Sequence, residues 1–192
     1  MSESMPSPWI RDYLVDVAET YGAQLYNAPV SKGKKRVQLT DVCPPLLHWS
    51  FLTVSQFLTY QEGSYVWAWV SDKDYKVSVR ISKDAIDEYE RSVGLLSLLH
   101  YPLNPWSSRH GRNIIDCRFS LIFIADYRPM FSPRPLGPNI LGNTDVFHIS
   151  LEIGRVSLIG TGGHLFGNPR DLESDEKMKE WVLGLRQDGG GG

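Results

Sequence analysis

The chain has 192 residues, 42% hydrophobic and 22% charged, with a formal net charge of -2. That balance describes a globular protein able to bury one core, and it disfavours a strong autonomous nucleic-acid binder, whose affinity comes from clustered Lys and Arg displacing counterions from phosphates. The 12 Pro and 17 Gly favour short strands and turns over a helical bundle, and no run approaches the roughly 20 apolar residues of a membrane helix.

Cys43 and Cys117, with no CxxC pair, suit a reduced intracellular setting better than a disulfide framework. Residues 1 to 7 are small and polar and are expected to be disordered, residues 8 to 187 form the folded domain, and 188 to 192 are a Gly-rich tail. Ser7 is the expected cap of a first helix with Pro8 at its first position, because Ile10, Tyr13, Leu14 and Val17 then form an i, i+3, i+4, i+7 stripe. Residues 27 to 48 read as a loop. They hold the one dense basic run, Lys32 to Arg36, which is either a solvated loop or a contact for phosphate or nuclear import.

A strand is expected over 51 to 60, and a second over 65 to 70. After the polar turn Ser71-Asp72-Lys73-Asp74, a third runs from 75 to 81, where Tyr75, Val77, Val79 and Ile81 alternate with Lys76, Ser78 and Arg80. The period then changes, and Ser82 opens a helix with Ile86, Tyr89 and Val93 on one stripe, ending at Gly94. Residues 102 to 113, with Arg109, His110 and Arg112, read as an exposed insertion.

Residues 117 to 126 form a fourth strand, central because both its faces are apolar, and 131 to 143 form an irregular Pro- and Gly-rich loop. The fifth strand covers 146 to 159, with a bend at Gly154. Ser174 is the expected cap of a last helix that buries Met178, Trp181, Val182 and Leu185. Five strands with a helix between the third and fourth, plus a C-terminal helix, give an all-β fold with peripheral helices: a five-stranded OB-fold Greek-key barrel.

Catalytic chemistry finds no support. His48, His100, His110, His148 and His164 have no metal-ligand spacing, the GxGG at Gly160 to Gly163 lacks the following helix of a dinucleotide site, and no cofactor is expected. An OB barrel also suggests single-strand nucleic-acid binding through Trp67, Trp69, Tyr75, Lys76 and Arg80 on its second and third strands. Against this, Trp67 and Trp69 share parity with Tyr65 while Val66, Ala68 and Val70 are also apolar, and core packing is the expected place of the two indoles.

Pro8-Trp9-Ile10-Arg11, the hairpin Val70-Ser71-Asp72 with Tyr75-Lys76-Val77-Ser78-Val79-Arg80, Lys83-Asp84-Ala85-Ile86-Asp87 and Cys117-Arg118 are short segments in one order. Together they resemble the N-terminal OB domain of the shelterin subunit known as adrenocortical dysplasia protein, from about Trp9 to Leu185. Fungal counterparts and the small OB-fold subunit of budding-yeast telomerase belong to the same superfamily. The resemblance implies a noncatalytic, nuclear, telomere-protection domain that binds the telomerase catalytic subunit. The telomere end-binding protein and other shelterin subunits would bind segments C-terminal to this domain. It also implies a telomerase patch of Asp87, Glu88, Glu90, Arg91, Arg118, Leu121 and Ile159, with Trp9 and Arg11 beside it. The vertebrate members carry Gly where this chain has Lys73.

Overall fold

A computed structural model describes residues 7 to 26, 38 to 59, 65 to 99, 114 to 137, 140 to 161 and 167 to 187. The basic run at 32 to 36 and the insertion at 102 to 113 lie outside the described residues. In chain order the elements are helix α1 (Ile10–Tyr26), short helix α2 (Leu39–Val42), strands β1 (Ser50–Thr59), β2 (Val66–Ser71) and β3 (Tyr75–Ile81), and helix α3 (Lys83–Leu99). They continue with β4 (Ser120–Ser132), the small strands β5 (Pro135–Gly137) and β6 (Ile140–Asn143), β7 (His148–Thr161), β8 (Arg170–Asp171) and helix α4 (Glu176–Gln187).

β1 pairs with β2, β2 with β3, β7 with β4 and β4 with β1, all antiparallel, while β3 runs parallel to β7. Every barrel strand therefore has two neighbours and the sheet closes on itself. Counted in barrel order, the strands run first, second, third, fifth, fourth and back to the first, with helix α3 between the third and fourth. This is an OB fold.

The barrel interior is filled by one face of each strand, including Leu52, Val54, Val66, Ala68, Val70, Val79, Ile122, Ile124 and Leu151. Two long strands wrap the barrel because β7 bends at Gly154. Up to Ile153 it pairs with both β3 and β4, and from Arg155 onward it follows β4 alone. A Cβ at position 154 would lie 2.7 Å from Asp126 Oδ2 and 2.9 Å from the Asp126 carbonyl, so the corner admits no side chain.

Several boundaries differ from the sequence expectation, each for a local reason. α1 begins at Ile10 rather than after a Ser7 cap, because its free N–H groups are met from elsewhere: the Trp9 and Ile10 amides donate to Asp72 Oδ2 at 2.7 and 2.6 Å. α3 opens at Ser82 as expected, with Oγ accepting from the Ala85 amide at 3.2 Å, but passes through Gly94 to Leu99. Residues 114 to 117 form a 3-10 turn, so the fourth strand starts at Ser120 instead of 117, and continues to Ser132. The stretch 131 to 143 is not wholly irregular, since β5 and β6 pair within it as a small hairpin. The α4 cap is Asp175 rather than Ser174: its Oδ1 accepts from the Met178 amide, while Ser174 Oγ donates back to the Asp171 carbonyl. The 27 to 48 loop also contains α2, which buries Leu39.

The Asp72 carboxylate is buried and accepts four backbone N–H bonds, two from Trp9 and Ile10 where α1 begins and, through Oδ1, two from Asp74 and Tyr75 at 3.2 and 3.0 Å. Asp72→Ala leaves those donors unmet and should lower the free energy of unfolding by about 3 kcal/mol in urea titration. Lys73, in the same turn, has φ +98, a backbone that side chains rarely adopt. Lys73→Gly should raise the free energy of unfolding by about 0.5–1 kcal/mol, and with it the urea midpoint, as relief of that conformation outweighs the added chain freedom.

Candidate functional site

A strand in a closed barrel gives one face to the core, so its outward face is where a surface function is built. On β1 and β4 the outward face carries large apolar side chains, with Thr53 among them and Ser157 and Arg155 beside them on β7. Phe51 stands opposite Phe123, and Phe123 opposite Ser157, while Thr53 faces Leu121 and Leu121 faces Gly160. The register slips by one residue between Leu121 and Ile122, and the extra residue on β7 is Ile159, 42% exposed.

Phe51 and Phe123 pack with their ring planes tilted by 48° and centroids 4.1 Å apart, and Trp49, 50% exposed, meets Phe123 edge-on at 6.0 Å. The Arg155 guanidinium lies 5.5 Å from the Trp49 ring, giving this aromatic face one cation. Trp9 borders it: the indole N–H donates to the Phe51 carbonyl at 3.0 Å, and Trp9, Phe51, Thr53 and Leu121 line one small crevice. Trp49, Phe51 and Phe123 form one connected, partly exposed aromatic group, Trp9 and Leu121 meet Phe51 at the crevice, and Ile159 is exposed on the neighbouring strand; an apolar group of this kind suits a partner surface better than singly scattered residues do.

Of the patch residues named from the sequence, the fold brings Trp9, Leu121 and Ile159 to this face. Arg118 is exposed just before it, over the Phe119 ring at 4.6 Å. The others are elsewhere. Asp87 is held by Lys83 one turn earlier on α3, Glu90 is half-buried, and Glu88 and Arg91 are exposed on that helix. Arg11 is a structural tie, with Nε donating to Asp175 Oδ2 at 2.7 Å, which joins α1 to α4.

Sequence reasoning missed Trp49, Phe51 and Phe123. The signal was present: the fourth strand was read as central because both its faces are apolar, and it does lie between β1 and β7, yet only its Ile122 and Ile124 face is buried while Leu121 and Phe123 reach the surface.

The wall formed by β2 and β3 has a different chemistry. Val66, Ala68 and Val70 fill the core, so Trp67 and Trp69 point outward, opposite to their expected core placement. The valine-alanine face wins because it is the smaller, and it fits the closed interior against Val77 and Val79. Tyr75 belongs to the inner set instead and is buried, its hydroxyl donating to Asp175 Oδ2 at 3.3 Å and accepting from Arg170 at 2.7 Å. Lys76 lies 5.4 Å and Arg134 4.5 Å from the Trp69 ring, and Arg80 sits 4.5 Å from the ring of Tyr65.

Glu152 is the carboxylate that tempers this wall. Burial alone would raise its pKa, but hydrogen bonds from Arg80 and Arg128 overcome that and hold it below the ordinary value. Glu173 behaves likewise, burial being outweighed by His148, at 2.9 Å, and by Arg186, and so does Asp175 through Arg11 and the Met178 amide. Burial pushes the Cys43 thiol up to about 11, which leaves it a neutral core residue at physiological pH. Among the described residues no group of three His, Cys, Asp or Glu side chains is placed to hold a metal ion, and no helix is long and apolar enough to cross a membrane.

No protein-family model and no curated protein matches the chain. Among solved structures it is similar to the Est3 telomerase subunit of the yeast Hansenula polymorpha, at 15% identity and a TM-score of 0.45, over 81% of this chain and 93% of that one. A chain from a structure described as "Molecular basis for abrogation of activation of pro-inflammatory cytokines" aligns at 14% identity and a TM-score of 0.30, over 75% of this chain and 53% of that one. The OB assignment stands on the strand order itself.

Glu152, Glu173 and Asp175 all have folded pKa values below their unfolded ones. Their contribution is therefore complete above the ordinary carboxylate range, near pH 4, and is lost as pH falls through the lower folded values. The urea midpoint should stay flat from pH 7 to about 5 and fall below about 4, and Glu173→Gln should make that fall shallower.

Proposed function

We propose that this chain is a noncatalytic OB-fold interaction domain of the telomere-protection class, which binds the telomerase catalytic subunit and so serves chromosome ends in the nucleus. The observation that carries this is how the segments of the family resemblance interlock. Trp9 and Ile10 of the first segment donate to Asp72 of the second, and Arg11 reaches Asp175 at the head of the closing helix. These short motifs are the joints of one architecture, a barrel with its N-terminal and C-terminal helices tied together, and this supports a common origin with that family.

The docking surface in this reading is the apolar face of Trp49, Phe51, Leu121, Phe123 and Ile159, with Trp9 at its border. Desolvation of clustered aromatic side chains supplies affinity at protein interfaces, while rim charges set the encounter rate and orientation. Arg118 and Arg155 take the second role, and Glu88 and Arg91 on α3 orient the approach from outside the face. The end-binding protein and other shelterin subunits are partners of segments C-terminal to this domain.

Co-precipitation of the telomerase catalytic subunit tests the surface. Trp49→Ala with Ile159→Glu should weaken capture by about 30-fold or more, as hot-spot truncations do, with the melting temperature moved by only a few degrees because both side chains are exposed. Glu88→Lys should weaken it by less than about tenfold and mainly at low salt. Undiminished capture by the double variant would place the partner elsewhere.

A further inference from the structure

A second surface lies on the β2 and β3 wall and shares no side chain with the docking face. Trp67 and Trp69 alternate along β2 on its outward side, and Tyr65 just before the strand keeps the same parity, so the three residues are spaced about 7 Å apart along the backbone. Tyr65 is 46% exposed, and Arg80 lies against its ring at 4.5 Å. Trp69 carries Arg134 at 4.5 Å and Lys76 at 5.4 Å, and neither cation forms an ion pair among the described residues. Trp67 stands between them, opposite Arg80 on β3.

We infer that this wall binds single-stranded nucleic acid, with successive bases stacking on the Tyr65, Trp67 and Trp69 row and phosphates meeting Lys76, Arg134 and Arg80. Aromatic rings offer every base a π-face without reading its identity, and cations beside the rings follow the backbone. An apolar protein segment would gain nothing from Lys76 and Arg134, whereas a polyanion gains from both, and this favours the nucleic acid. The binding is weak. With a net charge of -2 and Arg80 shared with Glu152, the site meets only two or three phosphates. The ligand is distinguished from a duplex by the row of rings, which a paired strand cannot reach.

Fluorescence titration of the whole chain with a short oligothymidylate, its uridylate counterpart and a duplex tests this. The single strands should quench tryptophan emission with a Kd of about 1 to 100 μM near physiological salt, and log K should fall with log salt at a slope of about -1.5 to -2. The duplex should bind at least about tenfold more weakly. Trp67→Ala and Trp69→Ala should each weaken binding by about fivefold to a hundredfold. Should either variant fail to fold, Tyr65→Ala and Lys76→Glu, which alter exposed or half-exposed side chains, carry the same expectation and are read by anisotropy of a labelled strand. Binding absent at low salt, equal for duplex, or unchanged in these variants overturns the site. Loss of telomerase capture by Trp67→Ala without any strand binding would instead make the wall a protein surface. Failure of the docking face is separately visible, since the Trp49 and Ile159 substitutions leave strand binding unchanged.

Discussion

One buried carboxylate decides how the helices meet the barrel. Asp72 Oδ1 closes its own turn by taking the Asp74 and Tyr75 amides, and Oδ2 takes the Trp9 and Ile10 amides at the start of α1. A negative charge at a helix N-terminus is favoured by the free N–H groups and the helix dipole, so the turn and the helix stabilise each other. Fixing α1 there sets the next residues. Trp9 reaches the Phe51 carbonyl and packs on Tyr127 with centroids 5.1 Å apart, and Arg11 faces Asp175, which itself caps α4. Two helix starts are thus held by two carboxylates on one side of the barrel, and the border of the apolar face follows from them.

The two outer walls differ because their strands differ in what they can leave exposed. β4 is long and lies between β1 and β7, so its outward Leu121 and Phe123 stay partly covered by neighbours on both sides. That shelter makes an apolar outer face tolerable in water while leaving it ready for a partner. On β2 and β3 the outward Trp69 ring is covered instead by cations, with the Arg134 guanidinium and the Lys76 ammonium lying over its face. Glu152 sits at the join, and its bonds to Arg80 and Arg128 cross from β7 to β3 and β4.

The order of strands and helices could be read from sequence because it rests on periodicity: period two through Tyr75 to Ile81, then a helical stripe after Ser82. The buried stripes of α1 and α4 were legible for the same reason, with Leu14 and Val182 both in the core. Long-range decisions were not legible. Ser7 and Ser174 are good caps by residue type, yet the carboxylate that starts α1 comes from residue 72 and the cap of α4 falls one residue later. Likewise, parity shows that Trp67 and Trp69 share a face but not which face, and only closure of the barrel around small side chains decides it. The same ambiguity concealed the outer aromatic face, since a strand apolar on both sides gives one pattern whether its second face is covered or open.

Charge placement argues that in the proposed docking the sheet, rather than α3, would supply most of the energy. Asp87 already has Lys83 as a partner, and the half-buried Glu90 has one carboxylate oxygen without a hydrogen bond among the described residues. A partner cation meeting exposed Glu88 alone gains little, because an exposed ion pair contributes about 0–1 kcal/mol. Covering Trp49 and Ile159 removes apolar surface from water at about 25 cal/mol per Å², and a few hundred Å² of such burial outweighs several rim charges. In the proposed docking, the acidic helix face would act before contact, by orienting an approaching basic partner, and the aromatic sheet face after it, by setting how slowly the partner leaves.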